Sequence, residues 1–227
     1  KTNWSTLNIK GYEPGRGAPS ADILNTGVQG GEAWVPAETD VSIRPGWFYS
    51  PSTDDKVKSV DKLMDIYYTS VGRNSNLLLN VPPDRTGRIN ANDSIRLMEF
   101  RKAREESFSK DLIEGAEIKA SNVRDNAAQY SVANLLDDNY NTYWATDDSE
   151  LNPSIEIDLK QAKTFNRLAL QEYIPLGQRV ASFSVKYWDN GGWKDLTDAT
   201  TIGYKRILRF PAISTQKLKI SFTALAC

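Results

Sequence analysis

The stretch Ser75-Asn76-Leu77-Leu78-Leu79-Asn80-Val81 constrains the fold of this chain more than any other. It is too short for a helix. Its leucines run on without alternation, which suits a strand buried on both faces, as in a parallel sheet. Stretches with helical spacing lie on either side. Upstream, Val57, Val60, Leu63, Met64, Tyr67, Tyr68 and Val71 recur at intervals of three and four across residues 55–72, and Gly72 is a helix stop. Downstream, the turn chemistry of Pro82-Pro83-Asp84-Arg85-Thr86-Gly87 ends the strand. A second helix is predicted from about Asn92 to Ser107, with Ile95, Leu97, Met98 and Phe100 as its apolar positions and Asn90 or Asn92 as N-cap. Ala33 to Val35 reads as an earlier strand. Strand, helix, strand and helix with crossovers of this length require parallel pairing.

Two β/α units cannot close a stable domain, whereas a (β/α)8 barrel takes about 250 residues. Residues 1–110 are therefore expected to be the last β/α units of such a barrel, with its earlier strands outside this chain. Residues 111–227 change character. Ile155 to Leu159, Arg167 to Leu170, Phe183 to Trp188 and Lys217 to Phe222 are short alternating runs separated by turns such as Asp189-Asn190-Gly191-Gly192. Period-2 strands at this spacing predict an antiparallel sandwich or jelly roll. The fold class expected is α/β followed by all-β, with no internal repeat.

Composition mainly excludes. The net charge of −1, with 28 basic residues scattered among 29 acidic ones, gives no footprint for nucleic acid or an anionic membrane. No apolar run approaches the roughly 20 residues of a membrane span, and Lys1-Thr2-Asn3-Trp4 is not a signal peptide. Cys227 is alone, so no intrachain disulfide can form. With no histidine, neither a His-based triad nor a His metal site can lie within these 227 residues.

The run from Glu32 to Tyr49 carries the functional signal. The short apolar stretch Ala33 to Val35 gives way to Glu38, Asp40 and Arg44, then to Trp47, Phe48 and Tyr49. Carboxylates bond sugar hydroxyls and aromatic rings offer flat apolar faces to the C–H side of a pyranose, so the run reads as the rim of a sugar pocket. An amphipathic strand and a loop whose aromatics fill the core would have the same composition.

Val35-Pro36-Ala37-Glu38 with Ser42-Ile43-Arg44-Pro45-Gly46-Trp47-Phe48-Tyr49, then Ser70-Val71-Gly72-Arg73-Asn74 and Leu77 to Asp84, closely resembles glycoside hydrolase family 29, the retaining α-L-fucosidases. Tyr140-Asn141-Thr142-Tyr143-Trp144-Ala145-Thr146 and Gln171 to Val180 resemble that family's C-terminal β-sandwich, so the likeness covers nearly the whole chain. The wording of Ser42–Tyr49 looks like the branch acting on α-1,3 and α-1,4 fucosyl linkages.

The resemblance implies an aspartate nucleophile and a glutamate acid/base about 5–5.5 Å apart, both expected before Lys1. This chain alone is then expected to be inactive, and its sandwich to be cut short at Cys227. Trp47 resembles the aromatic wall against fucose, Glu38 a sugar or neighbour contact, and Arg44 a reach towards the leaving-group sugar. Their structural alternatives are core packing, a partner for Arg44, and a loop clamp. Asn80 and Asp84 read as turn-fixing residues, and Glu172 with Arg179 as an internal salt bridge or a contact to the barrel. The segment Asn134 to Trp144 resembles a discoidin-like fold, which implies a structural Ca2+ on Asp137, Asn139 and Thr142; the alternative is a tight loop with Trp144 in the core. Trp188 and Trp193 could form a sugar platform or stabilise a hairpin. The resemblance implies no catalytic cofactor. Its implied partners are a fucosylated oligosaccharide or glycoconjugate and the rest of the barrel, in a secreted or periplasmic setting, with no nucleic acid and no membrane. A non-catalytic carbohydrate-binding module is the alternative function.

Overall fold

The computed structural model describes residues 3–10 and 20–224. The chain divides into two compact units: residues 36–111, and residues 1–35 together with 112–227. The second junction falls beside the change in strand pattern at 110/111. The first 35 residues, expected to belong with the β/α half, cluster instead with the later sheet. They do so through long-range bonds: the Thr201 hydroxyl and the Gln178 amide both donate to the Asn3 carbonyl, at 2.6 and 2.9 Å, and the Ser5 amide donates to Gln178 at 3.0 Å.

In the unit of residues 36–111, β3 (Ala37–Ser42) pairs in parallel with β4 (Ser75–Asn80), from Ala37 opposite Ser75 to Ser42 opposite Asn80. Helix α2 (Val60–Thr69) connects them, and α3 (Ala91–Ser107) follows. Ser59 caps α2 by accepting from the Lys62 amide, as the preference for serine at this position predicts. The helix buries Leu63, Met64, Ile66 and Tyr68. Asn90 caps α3 through the Asn92 amide, and Tyr67 meets Phe100 edge to face at 6.4 Å. Only Asp93 and Phe100 of α3 are buried; Ile95 and Met98, expected on the apolar face, are exposed.

The first strand of this pair is not where the sequence placed it. Ala33–Trp34 forms β2, antiparallel to β1 (Thr6–Leu7) in the other unit. The parallel strand is the acidic stretch Ala37–Ser42. Its period-2 alternation puts Glu38 and Asp40 on an exposed face, with Ala37, Thr39 and Val41 half-buried on the other. Acidic residues are depleted in strands, which hid it.

The other unit opens with β1, a short helix α1 (Ala21–Thr26) and β2, followed after the intervening unit by an antiparallel sheet. Its strands, β5 (Glu117–Ala120), β6 (Ser154–Leu170), β7 (Val180–Asp189), β8 (Gly192–Ala199) and β9 (Arg206–Ala224), lie in the order β5-β6-β9-β7-β8. Two of the expected short strands are thus one: β6 runs on from Ser154 through Leu170. It shifts register against β9 between Asp158 and Lys163 and between Phe165 and Arg167. The core centres on Ile155, Ile157, Leu159, Phe183, Val185, Leu218, Ile220 and Phe222, and Phe165, Leu168 and Leu208 from beyond the shifts pack onto it. One hydrogen-bonded sheet therefore folds over at its bulges and supplies both sides of a single core. The β7–β8 turn has Asn190 and Gly191 at φ 47° and 85°, the left-handed pair that an Asn-Gly hairpin demands.

Candidate functional site

The richest candidate is the loop that leaves β3. Ile43 is fully buried and its amide bonds the Asn80 carbonyl at 2.9 Å, so the chain departs from the C-terminal end of the parallel pair. Arg44, expected to reach a sugar, is 1% exposed and turns inward. Its Nε donates to both oxygens of Asp93 at 2.9 and 2.8 Å, and its Nη1 to Asp54 at 2.6 Å and Thr53 at 3.2 Å. The guanidinium also lies 5.0 Å from the centre of the Tyr49 ring, whose hydroxyl donates to Asp54. Burial pulls the Arg44 pKa down, but the bonds it donates to Asp93 and Asp54, with their charges, outweigh it and hold the cation more firmly than usual. Arg44 is a clamp.

The clamp presents aromatics. Gly46 sits at φ +78° with open space where a side chain would be, so the chain can turn there. Trp47 is 50% exposed and Phe48 87% exposed. The Asn80 side-chain amide bonds the Trp47 carbonyl at 2.9 Å and the Ser42 hydroxyl at 3.1 Å. Asn80, read as a turn-fixing residue, thus fixes the aromatic loop. Asp84 does hold its own turn: its carboxylate accepts from the Thr86 hydroxyl and amide and the Arg88 amide, which hold it below the usual carboxylate range. Glu38 lies within β3 opposite Asn76, exposed on the same face as Asp40. Asp93, which completes the clamp from the first turn of α3, was missed because an acid there is normally accounted for by the helix dipole.

In the sheet unit, the Asp137 carboxylate accepts from the Asn139 amide at 2.9 Å and the Thr142 hydroxyl at 2.7 Å, and Asn139 Oδ1 accepts from the Asn141 amide. The Thr142 bond leads the interactions that lower the Asp137 pKa. The three residues named for Ca2+ thus lie in one loop whose oxygens accept from the loop's own amides and hydroxyl. Among the described residues no group of three or more His, Cys, Asp or Glu side chains could hold a metal. Trp144 packs against the core and donates to the Asn122 carbonyl at 3.0 Å. Asp147 accepts from the Asn122 side chain and the Asp125 amide at 2.8 and 2.9 Å, pinning the same loops.

A pocket of about 320 Å3 beside them is lined by Gln129, Tyr130, Asn134, Asn141, Thr142 and Tyr143. Its groups are largely engaged internally: the Asn134 amide bonds the Gln129 and Tyr143 carbonyls, and Tyr143 stacks on Tyr173 at 4.5 Å. Trp188 and Trp193 face each other directly across the hairpin at 5.3 Å, ring edge to ring face. Glu172 accepts from the backbone amides of Arg179, Val180 and Gly203. Burial pushes its carboxyl above the usual range, against the pull of those amides and the Arg179 charge.

Comparison with known proteins places the later boundary in the same region, while its first segment begins within the residues that cluster with the sheet unit. Residues 19–102 match the family profile described as Alpha-L-fucosidase, and residues 117–226 that of the F5/8 type C domain. Alpha-L-fucosidase 1 of Arabidopsis thaliana is 38% identical over 223 residues, 96% of this chain and 43% of that protein. The crystal structure of SpGH29 superposes with a TM-score of 0.91 at 35% identity, over all of this chain and 48% of that one. A Ruminococcus gnavus GH29 fucosidase in complex with fucose gives 0.86 at 32% identity, over 99% and 45%. The chain thus spans less than half the length of each of these relatives. With both segments matched in order, the chain belongs to the α-L-fucosidases of glycoside hydrolase family 29, of which it carries a fucosidase segment joined to an F5/8 type C domain.

Proposed function

We propose that this chain is part of a retaining α-L-fucosidase that removes terminal α-L-fucosyl groups, with α-1,3 or α-1,4 linkages, from oligosaccharides or glycoconjugates outside the cytoplasm. The observation that carries the reading is the loop at the C-terminal end of β3. In α/β folds ligands collect at that end of the strands, and here a buried clamp leaves Trp47 and Phe48 free for a ligand. Trp47 supplies an apolar face to the C–H side of fucose, and Glu38 a carboxylate for a hydroxyl. Arg44 acts through the loop rather than on the sugar. The related R. gnavus GH29 fucosidase crystallised with fucose supports the choice of sugar.

The pair β3–β4 has only one hydrogen-bonded edge used on each strand among the described residues. Further strands extending it to a (β/α)8 barrel would satisfy the other two edges. The nucleophile and the acid/base then lie on those strands, and displacement with retention runs through a covalent fucosyl-enzyme. The sheet unit serves as a support domain.

The test is turnover of an aryl α-L-fucoside by the complete polypeptide carrying this sequence and by the 227-residue chain. Turnover by the first alone, releasing α-fucose in the initial product by NMR, is the expected result. No hydrolysis of any fucoside by the complete polypeptide would refute the assignment, and β-fucose as first product would refute retention.

A further inference from the structure

We infer that Asp93 is a positioning residue for sugar binding: it acts through Arg44 to set the aromatic loop, an inference that rests on the function proposed above. Asp93 and Arg44 have fully buried side chains on α3 and on the loop after β3. One guanidinium joins three places. It is the start of the loop, its Nη1 bonds Thr53 and Asp54 at the loop's far end, and its Nε–H is shared by the two oxygens of Asp93. Asn92, next to Asp93, adds a bond from its amide to the Asp54 carbonyl at 2.9 Å. Both ends of the loop are thereby referred to the first turn of α3.

Between those ends residues 50–54 close a local turn, with Thr53 bonded to the Ser50 carbonyl, and the stretch that carries the rings has fewer anchors. Gly46 has no atom within 4 Å of a would-be side chain, Phe48 is 87% exposed, and the Trp47 carbonyl is held by Asn80. The clamp and the Asn80 bond to the Trp47 carbonyl together hold the backbone from which the two rings project. An apolar pair of similar volume would fill the same space without taking two charges out of water. The ion pair instead sets a geometry, because Nε donates to Asp93 while Nη1 of the same planar group donates to Asp54 and Thr53.

Steady-state kinetics of the complete polypeptide on an aryl α-L-fucoside test this, with Asp93→Asn, Arg44→Lys, Asp54→Asn and Trp47→Ala compared with wild type. Asp93→Asn and Arg44→Lys are expected to raise KM about tenfold while kcat stays within about threefold, since the loop loses register but the reacting groups do not. Asp54→Asn, at the partly exposed end of the network, is expected to raise KM about threefold, and it carries the test if Asp93→Asn does not fold. A purely structural clamp would lower the active fraction, so that kcat falls and KM is unchanged; that result overturns the inference. An unchanged KM in Asp93→Asn or Asp54→Asn beside a raised KM in Trp47→Ala overturns it while leaving the proposed function intact. An unchanged KM in Trp47→Ala means that the loop is not at the sugar, and the functional reading of the loop fails first.

Discussion

Replacing Glu172 by alanine should destabilise the sheet unit by about 3 kcal/mol. The carboxylate accepts from the amides of Arg179, Val180 and Gly203, at 2.6, 2.8 and 2.5 Å. A further bond runs from the Glu172 amide to the Gly203 carbonyl. The side chain thus joins the segment that enters β7 to the loop that precedes β9. Leaving a buried amide unpaired costs about 1–3 kcal/mol. The site is only half-buried, so water can reach part of it, and about 1 kcal/mol for each of the three amides is the reasonable sum. In urea that corresponds to a midpoint lower by about 1.5 M. Hydrogen exchange should accelerate at the amides of residues 179, 180 and 203 above the rest of the sheet. The pH dependence adds a second reading. Because the folded carboxyl titrates above its unfolded value of about 4.3, the folded state holds the proton more tightly. That contribution is fully present below the unfolded value and is lost as pH rises through the folded one. The gap between wild type and Glu172→Ala should therefore be widest in acid and narrow towards neutrality. A total effect below about 1 kcal/mol, or a gap that widens with pH, would refute the reasoning.

Four further outcomes are expected. Gly27→Ala, at φ +66° with its new Cβ 2.0 Å from the Trp4 carbonyl oxygen, should cost more than about 2 kcal/mol by thermal unfolding. Gly30→Ala, at the same φ but in open space, should cost about 1 kcal/mol. Asp147 is held below the usual carboxylate range first by the Asn122 side chain and then by the Asp125 amide, so its contribution is present above the unfolded value of about 3.9 and is lost as pH falls through the folded one; Asp147→Asn should flatten the acid side of the stability profile. A chelator should shift the melting temperature by less than about 2 °C, because the Asp137 loop is ordered by its own bonds; a larger drop would mean that Ca2+ holds it.

Helices and strong turns were legible in the sequence because their signals are local. Ser59, Asn90 and the Asn190-Gly191 pair each act within a few residues, and the leucine run of β4 has few alternatives. The strand Ala37–Ser42 was read as a pocket rim because two carboxylates alternate through it, and alternation of charge with small residues carries little strand signal. Arg44 and Asp93 lie 49 positions apart; nothing in either's neighbourhood marks them as partners, since an arginine before proline and an acid in a first helical turn are both ordinary. The aromatic loop could be located from composition. What holds it could not.

The bonds from Asn3 and Ser5 to Gln178 and Thr201 also have a consequence in time. Asn3 and Thr201 are separated by 198 positions. A ribosome adds about 5–20 residues per second, so the first strand waits roughly 10–40 s after it emerges before its partners exist. During that interval residues 36–111 are made in full and can assemble, while Thr6–Leu7 and Ala33–Trp34 have only each other to pair with. The sheet unit is then completed only after the whole intervening segment has been made, which places its closure late in synthesis.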